Sequence, residues 1–130
     1  MIGKYSKKGL EKRKAERECL PEFFQKHIEI IKLEKKCCEE CGVKLVGDVS
    51  EVAHRLPKST FKSVQCSDDN VLYLCSWKSG GDNCHSKYDG TNEQLQSLDF
   101  FSAEKIKIQG LLEKVTERYN WKILERWKIK

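Results

Sequence analysis

The stretch Cys38-Glu39-Glu40-Cys41-Gly42 places two thiols three residues apart in front of a glycine. That spacing lets both sulfurs converge on one ion while the following backbone amides turn toward them. Alone, the pair also suits redox chemistry. A second pair downstream, Cys75 and Cys84, is separated by SWKSGGDN. Gly80 and Gly81 would let that loop fold back and bring the sulfurs together. Four thiolates from two short-range pairs make a closed tetrahedral zinc site. Cys38, Cys41, Cys75 and Cys84 are therefore the expected zinc ligands, with Cys37 competing for the place of Cys38. Four protein ligands leave no open position, so this ion is expected to be structural.

A staple of this kind matters in a chain of 130 residues with 35% charged residues, which has little apolar surface with which to build a core. The length predicts a single domain over 1–130. The formal charge of +5 mildly favours a polyanionic partner. The first residues, MIGKYSKKGL, lack the apolar run of a leader, and no stretch is apolar for the ~18 residues that a membrane span needs. A cytoplasmic protein without membrane contact is the expectation. In such a setting clustered cysteines point to metal rather than disulfides. Cys19 and Cys66, outside the four, read as buried small hydrophobes.

Four segments follow along the chain. Residues 1–20 form a basic arm carrying Lys4, Lys7, Lys8, Lys12, Arg13, Lys14 and Arg17, read as flexible or as a solvated helix. A helix over 21–36 starts at Pro21 and has an apolar face of Phe23, Phe24, His27, Ile28 and Ile31. His27 on that face is a core residue with no assigned function. Residues 37–90 hold two β-prone runs, VSEVAHRL and NVLYLC, joined by the polar PKSTFKSVQCSDD. Residues 91–130 give a helix capped by Ser102, with Ile106, Ile108, Leu111, Leu112, Val115 and Tyr119 near a 3.6 period. In the tail WKILERWKIK, Trp121, Ile123, Trp127 and Ile129 alternate as in a strand, although helical spacing also fits in part. The fold class is α+β.

Three polar residues stand at particular places in the cysteine frame. His54 ends the first run in EVAHRLP, Asn70 precedes the second in DDNVLYLC, and His85 follows the last cysteine in CHSKYD. Singly, His54 reads more plainly as a boundary histidine beside Arg55 and Lys58, and Asn70 as a turn residue after Asp68 and Asp69. Their joint order inside a Cys-x-x-Cys frame resembles the HNH endonucleases with the ββα-metal (His-Me finger) fold. The likeness spans residues 38–90 and neither flank.

The resemblance implies that two antiparallel strands and a helix enclose one divalent cation. It implies that His54 is a general base taking a proton from water, a task that suits an imidazole near neutral pH. It implies that Asn70 orients His54 or binds the metal. It also implies that His85 ligates a catalytic cation, such as Mg²⁺ or Mn²⁺, which stabilises the phosphate and the departing 3′ oxygen. The spacing itself adds Asp89: a helix beginning near Asn83 stacks His85 and Asp89, four apart, on one face as a pair of cation ligands.

One position departs from the family pattern. Many members carry an acidic residue or histidine just before the base, where this chain has Ala53. Asp89 and Asn70 complete the site, or the cation is held weakly, or the chain no longer cleaves. Glu51 is only a remote substitute.

Arg55, Lys58 and Lys87 are the expected DNA phosphate contacts, with Lys62, Lys78 and the basic arm beside them; such contacts position a duplex without reading its sequence. Tyr88 flanks the cleaved strand or belongs to the core. The expected function is a metal-dependent endonuclease hydrolysing DNA phosphodiester bonds, similar to compact members from bacteriophages and mobile elements. The alternative is a catalytically degenerate, zinc-stabilised nucleic-acid-binding module. A thiol redox protein using Cys37, Cys38 and Cys41 is a third class, but nothing thioredoxin-like surrounds them.

Overall fold

The computed structural model describes residues 7–129, with side chains from residue 19 onward. Lys4 and the side chains of the basic arm lie outside the described residues. The architecture is mixed, with helices around a two-stranded antiparallel sheet. A long helix α1 (Lys7–Leu33) leads to β1 (Val52–His54) and β2 (Val71–Tyr73). The short helices α2 (Cys84–Tyr88) and α3 (Asn92–Gln96) follow, then α4 (Phe101–Leu112) and a terminal 3₁₀ segment, Trp121–Trp127. No helix among the described residues is long and apolar enough to cross a membrane.

Pro21 does not start α1; the helix runs through it. A mid-helix proline removes one backbone hydrogen bond and costs about 3 kcal/mol, which tertiary contacts must offset. Two sit close by. Phe23, His27 and Ile31 recur every four residues and are buried, and a Cys19–Cys66 disulfide ties the helix to the loop before β2. The reading of Cys19 and Cys66 as unpaired small hydrophobes is thereby corrected: 47 residues separate them, so no local pattern announces the pair. The helix ends where Lys35 adopts a left-handed φ of 50°. The Lys36 amide then donates back to the Ile31 carbonyl at 3.0 Å, a bond that closes a helix C-terminus.

The strands pair Val52 with Tyr73, Ala53 with Leu72 and His54 with Val71. They are three residues each, too short to stand alone in water, and depend on what packs around them. Val52, Ala53, Val71 and Leu72 are buried, with Leu56, Phe61, Leu74, Tyr88, Leu95 and Ile108 in the same core.

The C-terminal third differs from its sequence reading in two ways. α4 begins after Phe100, with no side-chain cap from Ser102, and stops at Leu112. It buries Glu104, Ile108 and Leu111, leaves Ile106 exposed, and Val115 and Tyr119 pack beyond its end. The tail is 3₁₀, not strand: Asn120 caps it by accepting from the Lys122 amide, and Leu124 and Trp127 are its buried residues. Those two are three apart, the 3₁₀ repeat, and the alternating aromatics concealed this because Trp121 stays exposed.

Glu104 meets Arg55 in the core. The Arg55 Nε donates to Oε2 at 2.7 Å and Nη2 to Oε1 at 3.2 Å, while Nη1 donates to the carbonyls of Asp69 and Val71. A buried, four-times-bonded guanidinium is not a phosphate contact, so the DNA-binding role expected of Arg55 is corrected to a structural one. Leaving either partner alone in the core is costly. Glu104→Ala is expected to lower the unfolding free energy by about 3–5 kcal/mol in urea titration, and joint replacement of Arg55 and Glu104 by apolar residues to recover most of that loss.

Candidate metal and acid–base site

The four expected cysteines converge. Ligand sulfurs of Cys38, Cys41, Cys75 and Cys84 lie within 4.8 Å of one another, with Cys41 and Cys75 at 3.6 Å. Sulfurs about 2.3 Å from a tetrahedral zinc are about 3.8 Å apart, so the cluster could hold a metal ion such as zinc. Cys38 is buried in it while Cys37 is exposed, which settles their competition.

Both halves are built by the backbone turns the glycines permit. The Cys38 amide donates to the Val43 carbonyl at 2.8 Å and the Gly42 amide to the Cys38 carbonyl at 3.0 Å, with Gly42 at φ 81°. The Cys41 amide points at the Cys38 sulfur. In the second half, the Cys84 amide donates to the Cys75 sulfur at 3.2 Å and the His85 amide to the Cys75 carbonyl at 3.0 Å. Gly80 and Gly81 both have positive φ. A side chain on Gly81 would meet Val43 at 3.0 Å, so the two halves touch there. Burial pushes the Cys75 and Cys84 thiols up. Burial also raises Cys41, but hydrogen bonds from the Val43 backbone, Cys75, the Asp82 backbone and Cys38 outweigh it and bring the thiol to about 7.

Cys84 is the first residue of α2 and His85 the second. The helix has Asn83 as its N-cap and Asp89 as its C-cap, as the His85–Asp89 spacing predicts. His85 Nε2 lies 3.0 Å from Asp89 Oδ2. The other ring nitrogen, Nδ1, faces the Ser50 carbonyl at 2.5 Å. A carbonyl accepts only, so Nδ1 carries a proton and Nε2 is turned toward Asp89. The hydrogen bond to Asp89 raises the His85 pKa, against the opposing effect of burial.

His54 sits at the end of β1, half-buried. Its ring stacks on Phe23 with centroids 5.2 Å apart and meets Phe24 edge-on at 5.7 Å. Burial lowers its pKa, and the bond to the Gln65 carbonyl only partly opposes this. That bond, at 2.7 Å, is made by Nε2, so Nε2 carries the proton and Nδ1 keeps its lone pair. His54, His85 and Asp89 line one cavity of about 580 Å³, together with Lys58, Arg126 and the Ser50 stretch.

Asn70 stands behind this cavity. It is buried and accepts from the Leu56 amide at 2.7 Å, and its amide donates to the carbonyls of Leu56 and Val64 at 3.1 and 3.2 Å. It closes the loop from Leu56 to Val64, next to Gln65, whose carbonyl binds His54. Glu51 is also accounted for. Its buried carboxylate accepts from the amides of Val46, Gly47 and Asp48 and from the Ser79 hydroxyl. It braces the turn before β1 and is no stand-in ligand. Ala53 is in the core, opposite Leu72.

Of the remaining candidates, Tyr88 is core, its ring against Phe100 and Trp127. Lys58 lies at the cavity with its ammonium over Phe24 at 5.1 Å, while Lys87 is on α2 but does not line the cavity. Arg126 was missed, because nothing in the local spacing of WKILERWKIK ties it to a site formed by residues 54–89. Phe23 and Phe24, whose spacing marks them as core, also wall in His54. His27 is structural: Nδ1 pairs with the Tyr73 hydroxyl at 2.6 Å and Nε2 with Asp68 at 3.0 Å.

No family model, curated protein or solved structure matches the chain.

The sulfur cluster carries its own test. Cys41→Ser and Cys84→Ser are expected to weaken zinc binding by more than the ~10–100-fold that loss of an outer-shell partner causes, and to lower the melting temperature, whereas Cys37→Ser changes neither. Elemental analysis with competitive chelator titration and circular dichroism read the two effects.

Proposed function

We propose that the protein is a metal-dependent endonuclease that hydrolyses DNA phosphodiester bonds, built on a ββα-metal core with a structural zinc. The observation that carries this reading is the opposed state of two imidazoles in one cavity. His54 has a lone pair on Nδ1 and a lowered pKa, while His85 pairs through Nε2 with Asp89. The chain order strand, strand, helix, with His54 on the first strand and His85 on the helix, supports the same reading.

The His85–Asp89 pair fits a hard divalent cation. Adjacent ligands about 2.1 Å from an octahedral Mg²⁺ are about 3.0 Å apart, the separation found between Nε2 and Oδ2. The Asp89 carboxylate beside Nε2 favours the protonated ring and raises the His85 pKa, so a cation held there would take the place of that proton. Bound there, a cation such as Mg²⁺ or Mn²⁺ would neutralise charge on the phosphate and the leaving 3′ oxygen.

The chain's own residues do the rest. The Gln65 carbonyl holds the His54 ring so that Nδ1 faces away from it. Nδ1 takes a proton from water as the water oxygen bonds to phosphorus and the bond to the 3′ oxygen breaks; solvent returns a proton to that oxygen. Asn70 keeps the Gln65 loop closed, and Ser50 keeps the His85 tautomer. Lys58 contributes positive charge at the cavity mouth.

Zinc-loaded protein with plasmid DNA and added Mg²⁺ or Mn²⁺ tests this. His54→Ala is expected to lower nicking by about 10²–10⁴-fold with the melting temperature little changed; undiminished nicking would show the base to be misassigned. The pH dependence has a definite sign. The base works unprotonated and burial lowers its pKa, so kcat/KM should rise with pH along a limb centred below 6.5 and stay flat above it. A limb centred above 7 would contradict His54.

A second reading, a nucleic-acid-binding module without cleavage, is favoured by buried Ala53, which leaves His85 and Asp89 as a two-residue cation site. One tightly held zinc, no second divalent site by titration calorimetry and DNA binding without nicking would establish it.

A further inference from the structure

Arg126 is a charged side chain of the cavity that the proposed reaction does not use. It projects from the terminal 3₁₀ segment, where buried Leu124 and Trp127 anchor the backbone. The Trp127 ring stacks on Phe101 at 5.3 Å, and Gln96 donates to the Arg126 carbonyl at 3.0 Å. Nη2 donates to the carbonyl of Tyr88, the last residue of α2. The guanidinium is thus held at the end of α2, in the cavity that His54, His85 and Asp89 also line. Arg55 lines it too, but is bound by Glu104. Among the described residues Nε of Arg126 is the buried side-chain nitrogen or oxygen without a hydrogen-bond partner. A buried donor lacking an acceptor is uncommon in folded proteins.

We propose that Arg126 grips a non-bridging oxygen of the phosphodiester lying between His54 and the His85–Asp89 pair. This rests on the endonuclease reading. A planar guanidinium already fixed at one nitrogen has little freedom left to lose when it meets an oxyanion, and it offers its donors in a fixed fork. Charge that grows on the phosphate in the transition state then faces a donor already in place. The terminal segment, outside the sequence likeness, would so complete the site.

The test uses the zinc-loaded full chain, plasmid DNA and Mg²⁺ or Mn²⁺. At saturating DNA, Arg126→Gln and Arg126→Lys are expected to lower kcat by about 10²-fold or more with KM changed less than about threefold. Arg126→Lys should keep the melting temperature, since its ammonium still reaches for the Tyr88 carbonyl. Guanidinium ion at millimolar concentration should restore part of the turnover of Arg126→Ala, and sodium chloride at equal ionic strength should not. Wild-type turnover in both the Gln and Lys variants overturns the proposal. So does an effect confined to KM, or a loss that follows the melting temperature and is not rescued by guanidinium. If His54→Ala nicks as well as wild type, the assignment of the base fails instead. Absence of nicking by the wild type removes both.

Discussion

Four sulfurs drawn to within 4.8 Å fix the relation between the sheet and α2, and the cavity depends on that relation. Cys75 lies two residues past the end of β2 and Cys84 opens α2, so the second cysteine pair closes the turn by which strand gives way to helix. The sheet is too short to impose this bend, and α2, five residues long, is too short to persist without support. Secondary braces act around the same place: Ser50 meets Ser76 across the turn at 2.6 Å, and Glu51 reaches the Ser79 hydroxyl. Burial raises the Cys75 and Cys84 thiols, so a cation held by the four sulfurs would displace protons there and couple its binding to folding.

From that frame the two histidines acquire opposite electrostatic characters by similar means. Each has one ring nitrogen fixed by a backbone carbonyl, from Gln65 for His54 and from Ser50 for His85. The difference lies in what surrounds the other nitrogen. Phe23 and Phe24 press on His54 and disfavour its charged form. Asp89, one helical turn beyond His85, favours the charge there. Perturbation of two titratable groups in opposite directions within one cavity is the arrangement from which acid–base assignments are drawn. It ties the charge state of His54 to α1, the helix that supplies Phe23 and Phe24.

What the sequence revealed and what it concealed follow from the range of the interactions. The Cys-x-x-Cys turn, the glycine-assisted return to Cys84 and the stacking of His85 with Asp89 are local, and each is written in spacing. Arg55 with Glu104, Cys19 with Cys66, and Arg126 with the Tyr88 carbonyl are partners 38 to 49 residues apart, and no local pattern specifies them. Arg55 looked like a phosphate contact because an isolated arginine beside a candidate base has that meaning until a buried carboxylate is found opposite it. Pro21 looked like a helix start because its cost is local, whereas the contacts of Phe23, His27 and Ile31 that offset it are tertiary. The tail misled for a different reason: alternate aromatics matched a strand, but only Leu124 and Trp127 found core to enter.

Ala53 shows why the residue before His54 supplies no ligand in this chain. Successive strand residues point to opposite faces of the sheet. His54 lines the cavity, while Ala53 lies in the core, 1% exposed and opposite Leu72. A carboxylate there would be buried among apolar side chains without a partner, at a cost that a ligand role would have to offset. Any cation in the proposed site therefore rests on two side chains of one helical turn, and its affinity depends on how firmly that turn is held. The residues that hold it are Cys84 at its start and the Tyr88 carbonyl, gripped by Arg126, at its end. The sulfur cluster and the terminal 3₁₀ segment thus grip opposite ends of α2, and both bear on where that helix sets His85 and Asp89.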